Sequence, residues 1–276
     1  MSKITLSRHD LEQAASHAHL SSHVYFREPT KPPRDGWEVM HTSDELMPGK
    51  RGFFGALYSR DNPKTGAKEY AVAFRGTDGD DMKSNFAIAV GALPSQFKDA
   101  LAFTKLAAEK TGIDVQHITL TGHSLGGYLA RTVARVLDVK KVYAFSSPGP
   151  SAETRAALEK LAPSALPNDK IIHIRSKHDI IGLWGSDEKI VLDLDTSGQH
   201  HAINKLRNHL SNMLQGPNAP QIPLNRNVGF LEKIFNVVSK PLASGLRLMK
   251  SIQKLGQHRP PQPPRPGLTM AAPAAA

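Results

Sequence analysis

The stretch Leu120-Thr121-Gly122-His123-Ser124-Leu125-Gly126-Gly127-Tyr128 constrains this chain more than any other. Gly122, Ser124 and Gly126 stand at the G-x-S-x-G spacing of a nucleophile elbow, a turn that presents a serine hydroxyl between a strand and a helix. The turn is so tight that only glycine leaves room on either side of the serine, whose own backbone is strained. Ile118 and Leu120 precede it in an apolar β-type run, and 125–137 follows with helical character. Strand, turn and helix in that order are what the motif requires. The departing helix points its N-terminus at the serine, where a developing oxyanion is stabilised. Five such residues alone also suit an ordinary glycine-rich turn. The flanking elements favour the elbow.

The remaining chain alternates between two periodicities. A helix is expected over 6–23, and β-type runs over 52–58 and 70–74 form a hairpin through the turn at 60–66. An amphipathic helix over 95–110 is stopped by Gly112. A strand over 115–120 feeds the elbow, and 125–137 is the helix leaving it. Strands follow at 141–145, 170–175 and 189–194, with helices at 153–161 and 203–214. This alternation predicts an α/β fold with a mostly parallel, buried central sheet flanked by helices. A chain of 276 residues holds one such domain, placed at 1–220, plus appendages. Residues 221–256 read as a basic extension of two amphipathic helices divided by Pro241. The Pro- and Ala-rich 257–276 is expected to be disordered.

Composition narrows the chemistry. The chain has no cysteine, which excludes disulfides, thiolate metal sites and cysteine nucleophiles. From Arg226 onward eight lysines and arginines face one acid, Glu232, so +7 of the net charge of +10 lies in the tail. Basic amphipathic helices suit an anionic lipid interface, so peripheral membrane contact through 226–256 is expected. Packing against the body or a secretion partner is the other reading. With few aromatics there and no recognised fold, no nucleic-acid partner is expected. The first ten residues lack the apolar core of a signal peptide, and no apolar run reaches the length of a membrane span. The expected location is the cytoplasm of the producing cell, or outside it by export without a signal peptide. His9, His17, His19 and His23 read as a solvated helix face rather than a metal site, and no metal or cofactor is expected.

A serine hydroxyl needs a base to take its proton, and the base needs an orienting acid. In α/β-hydrolases these follow the serine in the order Asp, then His. Asp179 is the first acid beyond the strand at 170–175 and is taken ahead of Asp187, Asp193 and Asp195. His201, in a loop just before the helix at 203–214, is the chosen base, with His200 and His209 as alternatives. The oxyanion hole needs two backbone N–H donors. Leu125, directly after the serine, is one, and Thr77, at the end of Tyr70-Ala71-Val72-Ala73-Phe74-Arg75-Gly76-Thr77, is the other. Between them 78–96 holds a short apolar run, which reads either as a mobile flap over the site or as a buried connection.

Ala73-Phe74-Arg75-Gly76-Thr77, followed by Thr121-Gly122-His123-Ser124-Leu125-Gly126-Gly127 and then Ser147-Pro148-Gly149, resembles the class 3 (fungal lipase-like) lipase family. The likeness is to its bacterial lipase-like and phospholipase effector members, over residues 50–215. It implies an α/β-hydrolase fold, a triad of Ser124, Asp179 and His201, an oxyanion hole at Thr77 and Leu125, and lipid esters as substrates. Ile180-Ile181 stands where the family often has Pro-Val, and no aromatic motif follows the histidine. The function expected is a serine hydrolase that cleaves carboxylic esters of lipids through an acyl-enzyme. A secreted bacterial effector with an immunity partner is the expected setting. The competing reading is an inactive hydrolase fold serving as a membrane or protein adaptor, against which the complete Ser, Asp and His set speaks.

Overall fold

Helix α1 (Arg8–His23) begins at Ser7, whose hydroxyl accepts from the Asp10 N–H at 3.0 Å, and it buries Leu11, Ala14, Ala15 and Ala18. Strand β1 (Glu38–Thr42) runs into a single turn, α2 (Ser43–Leu46), closed by a capping box between Thr42 and Glu45. Strands β2 (Gly55–Asp61) and β3 (Lys68–Phe74) form the expected hairpin. Its turn is held by Asn62, whose side-chain oxygen accepts from the N–H groups of Lys64 and Thr65. Helix α3 (Gln96–Thr111) ends at Gly112 in the left-handed conformation, φ 68°. There follow β4 (Ile118–His123), α4 (Leu125–Val133), β5 (Lys141–Phe145), α5 (Ala152–Leu161) and β6 (Ile171–Ser176). The short α6 (Ile180–Leu183), β7 (Ile190–Leu194) and α7 (Ile203–Gln215) complete the order.

This computed structural model describes residues 7–27, 32–50, 52–77, 95–162, 170–183, 190–196 and 201–215, all within the first of two units, Met1–Pro241. The apolar segment 78–94, Asp187, His200, the basic extension 221–256 and the tail 257–276 lie outside the described residues.

Among the described residues, seven strands stand in the sheet in chain order. The first three pair antiparallel, and every pairing from β3 to β7 is parallel. Every residue of β4 is buried, as a parallel strand covered on both faces must be. Tyr143, Phe145, Ile172, Ile174, Leu192 and Leu194 face one way and meet Leu11, Ala14 and Ala18 of α1 and Leu206 and Leu210 of α7. The alternate residues of β5 and β6 face the opposite way by strand geometry. On that side Phe103 of α3 meets Phe53, which also touches Phe74, and α4 packs on β4 and β5. The result is a sheet between two helical layers, the arrangement of an α/β-hydrolase. Among the described residues, no helix is long and apolar enough to cross a membrane.

Four local expectations change. Strand β1 and α2 carry no sequence signal, because β1 is a half-exposed edge strand without apolar alternation. The expected strand at 115–120 begins later, at Ile118. Asp114 accepts from the Gln116 N–H and turns Val115–His117 into a 3₁₀ turn. The helix after the elbow stops at Val133 rather than at 137. The histidines of α1 do not form a solvated face. His17 is 3% exposed, stacked on Tyr143 at 4.7 Å with its Nδ1–H donating to the Gln13 carbonyl, and His23 Nδ1 lies 3.0 Å from the Tyr58 hydroxyl. The helix packs against β4 and β5 and also against α7, so more than one side of it is covered.

Candidate active site

Strand β4 ends at His123, and the chain turns at Ser124 with φ 55° and ψ −124°, a conformation a residue with a side chain adopts only under constraint. The constraint is visible on both sides. The Ser124 N–H donates to the Phe145 carbonyl at 2.9 Å, and its own carbonyl accepts from Tyr128 as α4 begins. A Cβ on Gly126 would collide with the Phe74 carbonyl, and one on Gly122 with the backbone of Gly126. Both glycines are therefore required by close approach. The predicted elbow is present, at the C-terminal ends of the parallel strands.

Asp179 and His201 come from elements far apart in sequence and meet at this point. Asp179 lies just beyond β6, with its N–H donating to the Ser176 carbonyl and its carboxylate accepting from the Ile181 N–H at 3.1 Å. His201 lies just before α7. Its Nδ1 is 3.1 Å from each carboxylate oxygen of Asp179, and its Nε2 is 3.0 Å from Ser124 Oγ. A carboxylate only accepts, so Nδ1 carries the proton and Nε2 offers its lone pair to the serine hydroxyl. Burial works against the charge on Asp179, but hydrogen bonds from His201, together with the neighbouring Ser146 hydroxyl, hold its carboxyl below the usual carboxylate range. Ser124 is fully buried and Asp179 is 2% exposed.

The competing residues go elsewhere. Asp193 is the partner of Arg175, at 2.5 Å from Nε, and Arg175 also donates to the Gly182 carbonyl. That arginine thus braces the turn that carries Asp179. Asp195 pairs with Lys177 at the surface. His209 lies on α7, two turns beyond the histidine that meets Ser124. Among the described residues no group of histidines and carboxylates is arranged to hold a metal ion.

Leu125 is the first residue of α4, so its N–H has no partner within the helix. Thr77 follows Gly76, and Gly76 lies against the elbow. A Cβ there would meet the His123 carbonyl at 2.7 Å and the Ser124 Cβ at 3.4 Å. Leu125 and the segment that carries Thr77 therefore both lie next to this serine.

Three residues around the site were not singled out from the sequence. Ser146 has a positive φ of 44° and stands after β5 beside Asp179. His123 Nε2 lies 2.6 Å from the His201 carbonyl, and Tyr25 Oη lies 3.0 Å from His123 Nδ1. The signal available for His123 was a polar residue closing a fully buried strand. Tyr25 is 98 residues away from its partner and gave none.

Residues 16–198 match the model of the family described as phospholipase-like, Tle-like phospholipase domain. No curated protein matches the chain. Among solved structures it is similar to the extracellular lipase LipA from Serratia marcescens, at 14% identity and a TM-score of 0.36 over 71% of this chain. The chain spans 38% of that lipase's length. It is similar also to EstE1, a thermophilic carboxylesterase cloned from a metagenomic library. There the identity is 12% and the TM-score 0.35, over 77% of this chain and 98% of that one. A third likeness is to carboxyl esterase 2 from the mycorrhizal fungus Tuber melanosporum, at 14% identity and a TM-score of 0.37, over 83% and 97% of the two chains.

Proposed function

The chain belongs to the Tle-like phospholipase domain family, and on that footing we propose that it hydrolyses the carboxylic ester bonds of membrane phospholipids through an acyl-enzyme on Ser124. One observation carries this reading. A strained, buried serine is hydrogen-bonded to a histidine whose far nitrogen is held by a carboxylate that hydrogen bonding keeps ionised. The family match supports the phospholipase part of the resemblance seen in the sequence.

The geometry supports the following roles. His201 Nε2 takes the Ser124 proton as Oγ attacks the ester carbonyl carbon. The carbonyl oxygen becomes an oxyanion between the N–H groups of Thr77 and Leu125, and removing one such donor costs about 10²–10³ in kcat elsewhere. Asp179 keeps the proton of neutral His201 on Nδ1 and stabilises the imidazolium once Nε2 is protonated. Collapse breaks the ester C–O bond, and His201 returns the proton to the leaving alcohol, a lysophospholipid. Water, deprotonated by the same Nε2, then releases the fatty acid and restores Ser124.

The basic extension 226–256 would hold the enzyme at an anionic lipid surface, and the setting would be export from a bacterial cell with an immunity partner. The test is fatty-acid release from defined phospholipid vesicles and from a triacylglycerol emulsion, by the wild type and by Ser124→Ala. The reading predicts release from phospholipid that the substitution abolishes. Release that survives Ser124→Ala, or no release from either lipid, contradicts it.

A further inference from the structure

One polar neighbour of the site has no part in that chemistry. His123 ends β4 directly before Ser124, is 6% exposed, and its ring lies 4.8 Å from the ring of His201. Its Nε2 stands 2.6 Å from the His201 backbone carbonyl. A carbonyl only accepts, so Nε2 carries the proton and donates. Nδ1 is then an acceptor, and the Tyr25 hydroxyl, 3.0 Å away, donates to it. Burial keeps the ring neutral, with its pKa pushed down to about 3.

Tyr25 stands just past the end of α1 and touches a second part of the site. Its hydroxyl occupies the place where a Cβ on Gly76 would project, beside the residue that precedes Thr77. Ser124 is held by the sheet itself, through its N–H on Phe145. His201 lies in no strand, and its ring bonds only orient it once its backbone is in place. A displacement of about 1 Å there is enough to cost about 10²-fold in rate. The backbone bond from His123 ties the histidine to the same strand that carries the serine.

We propose that Tyr25 and His123 are a positioning pair. Tyr25 donates to the unprotonated Nδ1 of His123 and so holds the orientation of its ring, and His123 anchors the His201 carbonyl so that Nε2 of the base meets Ser124 Oγ. The inference rests on Ser124, His201 and Asp179 acting as proposed.

The test uses the full-length protein and His123→Phe, His123→Gln and Tyr25→Phe. Phenylalanine keeps the ring volume at 123 without a donor, and glutamine keeps an N–H near the position of Nε2. On a soluble short-chain ester, His123→Phe should lower kcat about 10²-fold with KM within about twofold. His123→Gln should regain about tenfold of that loss. Tyr25→Phe combined with His123→Phe should be no worse than His123→Phe alone, because both act through one bond. Nitrogen-15 spectra of the wild type at neutral pH should show His123 as the Nε2–H tautomer, and Tyr25→Phe should keep that tautomer while shifting the Nδ1 resonance to that of an acceptor that has lost its hydrogen bond. A folded His123→Phe with wild-type kcat, an unrescued His123→Gln, or a wild-type proton on Nδ1 overturns the pair. The spectra need no turnover, so they judge the pair even if the protein cleaves no ester, a result that would instead defeat the triad.

Discussion

Both carboxylate oxygens of Asp179 lie 3.1 Å from Nδ1 of His201. This contact fixes the histidine in the one tautomer that leaves a lone pair facing Ser124. Asparagine at 179 would place an N–H donor against Nδ1 and turn the ring to the wrong tautomer. Asp179→Asn should therefore lower kcat by about 10⁴ with little change in KM. Steady-state kinetics on a soluble ester check this, and a loss confined to KM would speak against the role.

Acid should destabilise the fold well before the carboxylates titrate. Burial holds His17 neutral, with a pKa lowered to about 4, and His123 likewise, lowered to about 3. In the unfolded chain both sit near 6.5. Below 6.5 the unfolded chain takes up protons that the native state refuses. Stability present above pH 6.5 is thus lost as pH falls toward 4 and then 3. The slope is up to about 1.4 kcal/mol per pH unit for each histidine. Urea midpoints at pH 7 and pH 5 should differ in the wild type and differ less in His17→Phe, which keeps the stacking on Tyr143. Equal slopes in the two proteins would contradict this.

Glycine substitutions should separate the elbow from the scaffold. At Gly126 an added Cβ meets the Phe74 carbonyl, which cannot yield without moving β3. Gly126→Ala should cost about 1–3 kcal/mol and also displace the Leu125 N–H, so activity falls with stability. At Gly112 nothing lies within 4 Å, but φ is 68°. Gly112→Ala should cost about 1–2 kcal/mol through backbone strain alone and leave kcat unchanged. Thermal unfolding beside kinetics distinguishes the two. An active, stable Gly126→Ala would show that the turn is looser than its contacts imply.

Much of this was legible in the sequence because it is local. The elbow, the parallel strands around it and the helix after His201 each announce themselves through spacing within a few residues. The order Ser, Asp, His then narrows the triad to a few acids and histidines. What separates Asp179 from Asp193 is not local. Arg175 reaches across to β7 and claims Asp193, a pairing that appears only once β6 and β7 are adjacent. Tyr25 is hidden for the same reason, since α1 must fold over the sheet before its end meets His123. The burial of His17 follows from Tyr143 on the sheet and from Trp37, both brought against its ring from outside α1, which no periodicity within α1 reveals.

The most direct measurement is the intact mass of the protein after a fluorophosphonate probe, with peptide mapping of the adduct. Acyl-enzyme chemistry at Ser124 predicts one adduct, on Ser124, absent in Ser124→Ala and formed far more slowly in His201→Ala. An adduct on another residue, or a folded wild type that the probe leaves unmodified, would contradict it.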